Sequence, residues 1–171
     1  VAGPTNGIAK SLAIAMLGAP IYCAWGSGDT SWDSLPVPLA WSDTALRNEL
    51  GRRRVDTQRF CTPNTSGDII LPPSANNASG KWLLTDTPTP FLYLKTGFHV
   101  EDSPGPQIRE VGYLLGVALQ SSVPSSQHYF LPADVLTPGV MFAGNRFVAI
   151  TRTSGLTQWF EFVIDLSGVL Q

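Results

Sequence analysis

The chain has 171 residues, enough for one sizeable domain or a domain with arms. Its net charge of −2 and pI near 5.6 leave no electrostatic footprint for nucleic acid or for an anionic membrane. Only 14% of the residues are charged and 43% are hydrophobic, a balance that suits surface hidden in permanent contacts. The 16 glycines and 14 prolines break the chain into short elements and favour β-rich structure. Cys23 and Cys61 are too few for a disulfide framework and read as buried thiols, with a single bridge as the alternative. The apolar run 8–24 lacks a signal-peptide cleavage site, and Pro20 makes it too interrupted to span a bilayer.

In chain order, Thr5 or Asn6 can cap a helix that runs to about Gly18, where glycine and Pro20 stop it. Ile8, Leu12, Ala15 and Ala19 share one face, with Ile14 and Leu17 on the other side, so the helix is apolar nearly all round. That predicts packing against the body on one side and against a partner on another. Ile21–Trp25 reads as a strand ending in Gly26-Ser27-Gly28-Asp29, a tight turn rather than a phosphate-cradling loop, because no Lys-Ser/Thr follows at the required spacing. Thr30–Ala40 reads as an ordered, packed loop rather than a flexible linker, held by Trp32, Pro36, Pro38 and Trp41. The stretch SDTALRNEL is expected as a short helix from Ser42 or Asp43, with Glu49 in its last turn. Arg52–Phe60 alternates as one strand, its arginines available for ion pairs within the fold or across a subunit boundary.

Thr62–Gly80 is a long loop holding one short strand, Ile69–Leu71; Asn77-Ala78-Ser79 matches an N-glycosylation sequon, which matters only in a secreted eukaryotic protein and has no other support in the sequence. Lys81–Thr85 and Phe91–Val100 read as strands around the turn Asp86–Pro90, and His99, Glu101 and Asp102 as a solvated strand end. Gln107–Val117 is the stretch on which the chain is organised. It presents Val111, Tyr113, Leu115 and Val117 on one face, and Ile108, Glu110, Gly112 and Leu114 on the other. Helical spacing also fits it, but its glycines and β-formers favour a strand. Interior glycine weakens a strand unless something packs over it, so Glu110 is expected to be covered. A covered carboxylate calls for a cation, and Arg52 or Arg54, with Glu49 close by, is the expected partner. A Ser/Pro loop follows, then short pieces near His128–Leu131 and Asp134–Met141. Asn145–Thr153 and Thr157–Leu166 close the chain as a β-hairpin.

No motif for chemistry emerges. G-x-S-x-G is absent, two histidines leave few options for a triad, and no metal-ligand spacing or cofactor motif is present. The tryptophans Trp25, Trp32, Trp41, Trp82 and Trp159 read first as core and interface packing, and second as a glycan-binding platform.

The order of signals carries a resemblance. An apolar helix, the strand end WGSGD (Trp25–Asp29), Leu46, Glu49, Arg52 and Arg54, and then IREVG (Ile108–Gly112) resemble the virion-attaching N-terminal domain of tailed-phage tail-collar fibre and baseplate proteins. The resemblance covers about two thirds of the chain and stops short of any repetitive shaft, which fits a baseplate, collar or fibre-adaptor subunit better than a full fibre. It implies a structural virion component with no enzyme activity and no cofactor. Such a component is assembled in the host cytoplasm, associates with itself in a symmetric homo-oligomer, and contacts other tail or baseplate proteins but neither nucleic acid nor a membrane. A capsid decoration or head–tail neck protein, a carbohydrate-binding module and, last, a hydrolase are the competing readings.

The expected architecture is mainly β with an N-terminal helix (α+β): an antiparallel sheet or sandwich with extended loops and a C-terminal hairpin. One structural domain, 1–171, is expected, with a helical arm at 1–20, a β-rich core at 21–118 bearing the loop 62–80, and a hairpin region at 119–171. Candidate residues are Glu110, Arg52, Arg54 and Glu49 for a structural ion pair. Ile8, Leu12, Ile14 and Leu17 are the candidates for an interface.

Overall fold

The computed structural model describes residues 7–102, 107–152 and 155–168. It is mainly β, with one N-terminal α-helix and antiparallel sheets. Its residues group into two compact units, 20–55 with 96–159, and 1–19 with 56–95 and 160–171.

In the first unit a five-stranded sheet has the order β11-β7-β1-β2-β9. Its strands are β1 (Tyr22–Gly26), β2 (Glu49–Arg54), β7 (Gln107–Leu115), β9 (Tyr129–Phe130) and β11 (Val140–Thr151). The organising stretch is thus an inner strand, and Ile108 to Leu114 are all buried, so both of its faces are covered. In register, Gly26 lies opposite Glu110 and Ala24 opposite Gly112. Gly112 has no side chain because Met141 fills the space over it. Met141, Ala24 and Leu114 form a core cluster against which Leu39, Leu46 and Val117 pack. A second cluster stacks Trp25 on Phe98 at 3.9 Å between ring centres, with the Trp25 indole N–H donating to Tyr129 Oη at 3.0 Å. A two-stranded ladder joins β8 (Ala118–Leu119) to β10 (Val135–Thr137).

The second unit holds most of a sheet of order β12-β6-β3-β5-β4, whose residues 96–98 and 158–159 belong to the first unit. Its strands are β3 (Thr57–Pro63), β4 (Ile69–Ile70), β5 (Lys81–Thr85), β6 (Phe91–Phe98) and β12 (Gln158–Asp165). Cys61, Trp82 and Tyr93 form its core, with Ile69, Leu71, Leu84, Phe91 and Val163 around them. The helix α1 (Gly7–Leu17) buries Ala13 and Met16. The Gln58 side-chain amide donates to the carbonyls of Leu17 and Ala19 at 3.1 and 3.2 Å, satisfying acceptors that a helix end leaves open. The expected caps Thr5 and Asn6 lie outside the described residues.

Several expectations are corrected. SDTALRNEL is not a helix: it runs as irregular chain into β2, because tertiary contacts claim its groups one by one. The Arg-rich stretch is two strands, β2 and β3, parted at Val55 and Asp56, whose amides bond to Ile21 and Lys95 carbonyls. Two consecutive strands, β11 and β12, close the chain, consistent with the expected C-terminal hairpin, and each also has a neighbour elsewhere: β11 forms a ladder with β7 and β12 lies beside β6. Thr153 and Ser154 lie outside the described residues. The sequon is spent internally: Asn77 is buried, its Nδ2 donates to the Lys81 carbonyl at 2.7 Å, and its Oδ1 accepts from Ser79 at 2.8 Å. Cys23 and Cys61 are both buried and carry no disulfide.

Candidate functional site

Glu110 sits at the centre of the first unit and is 1% exposed. Its two carboxylate oxygens accept the backbone N–H groups of Arg47 and Asn48, at 3.0 and 2.8 Å. A Cβ on Gly26 would strike this carboxylate and the Asn48 carbonyl, so glycine is required there. The expected guanidinium partner is not what meets it. β1 lies between β2 and β7, and Arg52 is in register with Ala24 and Gly112, two residues along β7 from Glu110. Arg52 is instead held by Glu49 through two bonds of 2.7 and 2.6 Å, and by the Pro138 carbonyl at 2.7 Å. Arg54 donates to the Tyr22 hydroxyl at 3.0 Å.

The ion pairs that shape this unit were missed in the sequence because their partners are far apart along the chain. Arg109 forks onto Asp33 at 2.8 and 2.7 Å and also reaches Gln107 and the Ser27 carbonyl. The Arg109 hydrogen bond, with the Ala149 amide second, holds the Asp33 carboxyl below its ordinary range. The same contact raises the Arg109 pKa. Asp29 is held low first by the Ser31 backbone N–H, and its carboxylate also pairs with Arg47 at 2.8 Å. Asp43 accepts the Ala40 N–H at 2.8 Å and pairs with Arg146 at 3.2 Å, and Arg146 lies 4.8 Å over the Trp32 ring. Asp102, read from the sequence as part of a solvated strand end, is 2% exposed. It pairs with Arg53 and takes the His99 N–H at 2.6 Å.

The result is a strap, residues 27–48, pinned along its inner side. Trp32 is buried beneath it and Leu39 and Leu46 pack into the Met141 cluster. The edge strand β11 is tied to it, Met141 N–H donating to the Thr44 carbonyl at 2.8 Å and Ala149 N–H to Asp33 at 3.0 Å. The outer side of the strap differs. Leu35 is 77% exposed, Val37 52% and Trp41 92%. Trp41 therefore does not pack as the sequence reading expected, whereas Trp25, Trp32 and Trp82 are buried. In the other unit, α1 also carries exposed apolar side chains: Ile8, Leu12 and Ile14, with Leu17 half-buried.

The geometry is that of a scaffold, with charge spent on fixing loops. Among the described residues no group of histidine, cysteine and acidic side chains could hold a metal ion, and no helix is long and apolar enough to cross a membrane. A family model described as "Baseplate wedge 3 tail fiber network component" matches residues 1–166. The chain belongs to this family. The baseplate and tail-fibre resemblance read from the sequence is thereby established, and the baseplate wedge component is part of a phage virion. Its family sets it in the baseplate rather than in the capsid or neck, among structural proteins that associate with other tail proteins. A search of curated proteins found no match to this baseplate wedge component.

Proposed function

We propose that the chain is a non-catalytic building block of the baseplate, which assembles with copies of itself and docks other tail proteins, in the host cytoplasm, before the particle is complete. The observation that carries self-assembly is α1. Ile8, Leu12 and Ile14 are 41, 39 and 50% exposed on an 11-residue helix whose one charged residue is Lys10. An apolar helix face left in water is stabilised when covered, and a second α1 offers a matching surface of the same chemistry. Neither nucleic acid nor a membrane has a part in this reading.

Light scattering on the full chain at two concentrations tests it. The expected result is a defined oligomer that Ile8→Glu and Ile14→Glu together convert to a smaller species, with the fold kept. A monomer at both concentrations overturns self-assembly. Docking is tested separately, by asking whether the wild-type chain supplied in trans enters baseplates that otherwise lack it.

A further inference from the structure

We propose that residues 34–41, SLPVPLAW, are the docking element of this chain, and that an uncharged, aromatic-lined groove on a different baseplate protein receives them. The inference rests on the reading of the chain as a subunit that docks other tail proteins, and it names the surface and the kind of partner.

Three observations lead to it. The first is side-chain allocation. Within seven residues Leu35, Val37 and Trp41 stand 77, 52 and 92% exposed, while Leu39 between them turns inward onto the Met141 cluster. The second is rigidity. The segment is held at both ends, by Asp33 on Arg109 and by Asp43 on Arg146 and the Ala40 N–H, with the Pro38 carbonyl accepting from Arg146 at 3.4 Å between them. Pro36 and Pro38 fix their own backbone and keep Leu35 and Val37 extended. A surface already ordered when free loses little entropy on binding.

The third observation selects the occupant. In an extended chain the N–H groups of residues 36, 38 and 40 point to one side. Two of these residues are proline, and the Ala40 N–H is taken by Asp43. That side has no donors for a β-ladder, so strand addition along it is disfavoured and recognition there falls to side chains. Proline-rich extended segments are received in this way by grooves lined with aromatic rings. Charge points to the same partner. Asp43 is the one charged residue within 34–46, and it is neutralised by Arg146. At the borders Asp29 pairs with Arg47 and Asp33 with Arg109. A face whose charges cancel in pairs complements a neutral apolar groove.

The test uses the full chain, supplied in trans to particles that lack it, with incorporation into purified baseplates as the readout. Trp41→Glu is expected to lower incorporation by about 30-fold, the loss typical of a buried tryptophan anchor, and Trp41→Phe to restore most of it. Both variants are expected to keep the wild-type unfolding midpoint and solution mass. A Trp41→Cys variant, probed with a maleimide, is expected to react quickly in the free chain and to be shielded in baseplates. If the wild type enters baseplates and Trp41→Glu enters equally well, or if Trp41→Cys stays as reactive there as in the free chain, the docking element is elsewhere. A change in the free chain's solution mass with Trp41→Glu makes the strap a contact between copies and overturns the proposal. If the wild type itself fails to enter baseplates, the underlying reading of the chain fails with it.

Discussion

At Glu110 the side-chain carboxyl is buried against the amides of Arg47 and Asn48. Each oxygen accepts one N–H, so the site requires acceptors at both positions. Glu110→Gln keeps the shape but turns an NH2 donor toward one of those amides. We expect it to lower stability by about 1–3 kcal/mol, the usual cost of leaving one buried donor unmade, read from urea denaturation followed by tryptophan fluorescence. An unchanged midpoint would mean that the amides do not depend on the carboxylate. Asp33 gives a pH prediction. Its folded pKa is depressed, chiefly by Arg109, below an ordinary value of 3.8. Its stabilising contribution is therefore complete above that value and is lost as pH falls through the lower folded value. Acid titration of the denaturation midpoint is expected to be flatter for Asp33→Asn than for wild type, and parallel profiles would remove Asp33 from the acid response. The burial of Glu110 was legible in the sequence from the glycine beside it. Its partners were not, because a backbone amide has no sequence signature and any residue at positions 47 and 48 supplies one.

Among the elements, β7 decides the first unit. It lies between β1 and β11 and is buried from Ile108 to Leu114. Amide hydrogen exchange is expected to be slowest in β7 and β1 and fastest in β9, a two-residue edge strand; equal protection across the sheet would argue against this order. Gly26→Ala sets a methyl against the Glu110 carboxylate and the Asn48 carbonyl. It is expected to cost about 1–3 kcal/mol, the typical cost of overpacking, measured by the same denaturation. β7 and β5 were legible because each alternates or clusters apolar side chains over its whole length. The segment Ser42–Leu50 misled because helix spacing in its sequence is overridden tertiary contact by tertiary contact. Leu46 packs into the Met141 cluster, Asp43 and Arg47 pair with distant charges, and two of its amides serve Glu110. Exposed Trp41 is the instructive case among the tryptophans. Composition says that a large aromatic will be covered, but not whether its own chain does the covering.

For the whole molecule, the chain passes from one unit to the other within strands as well as between them: inside β6 at Lys95–Thr96 and inside β12 at Trp159–Phe160. No linker falls at either place. This predicts one cooperative transition, and the two cysteines report on it. Cys61 belongs to one unit and Cys23 to the other, and both are 0% exposed. Burial pushes the Cys61 thiol up to about 12, so at pH 8 it is present almost wholly as the unreactive thiol while the protein is folded. In single-cysteine variants, Cys23→Ser and Cys61→Ser, alkylation of the remaining thiol is expected to be negligible without denaturant. It should then appear at the same urea concentration in both, once each variant's own change in stability is subtracted. Two well-separated midpoints would instead mean that each unit unfolds by itself, and that the crossings within β6 and β12 act as hinges rather than as shared strands.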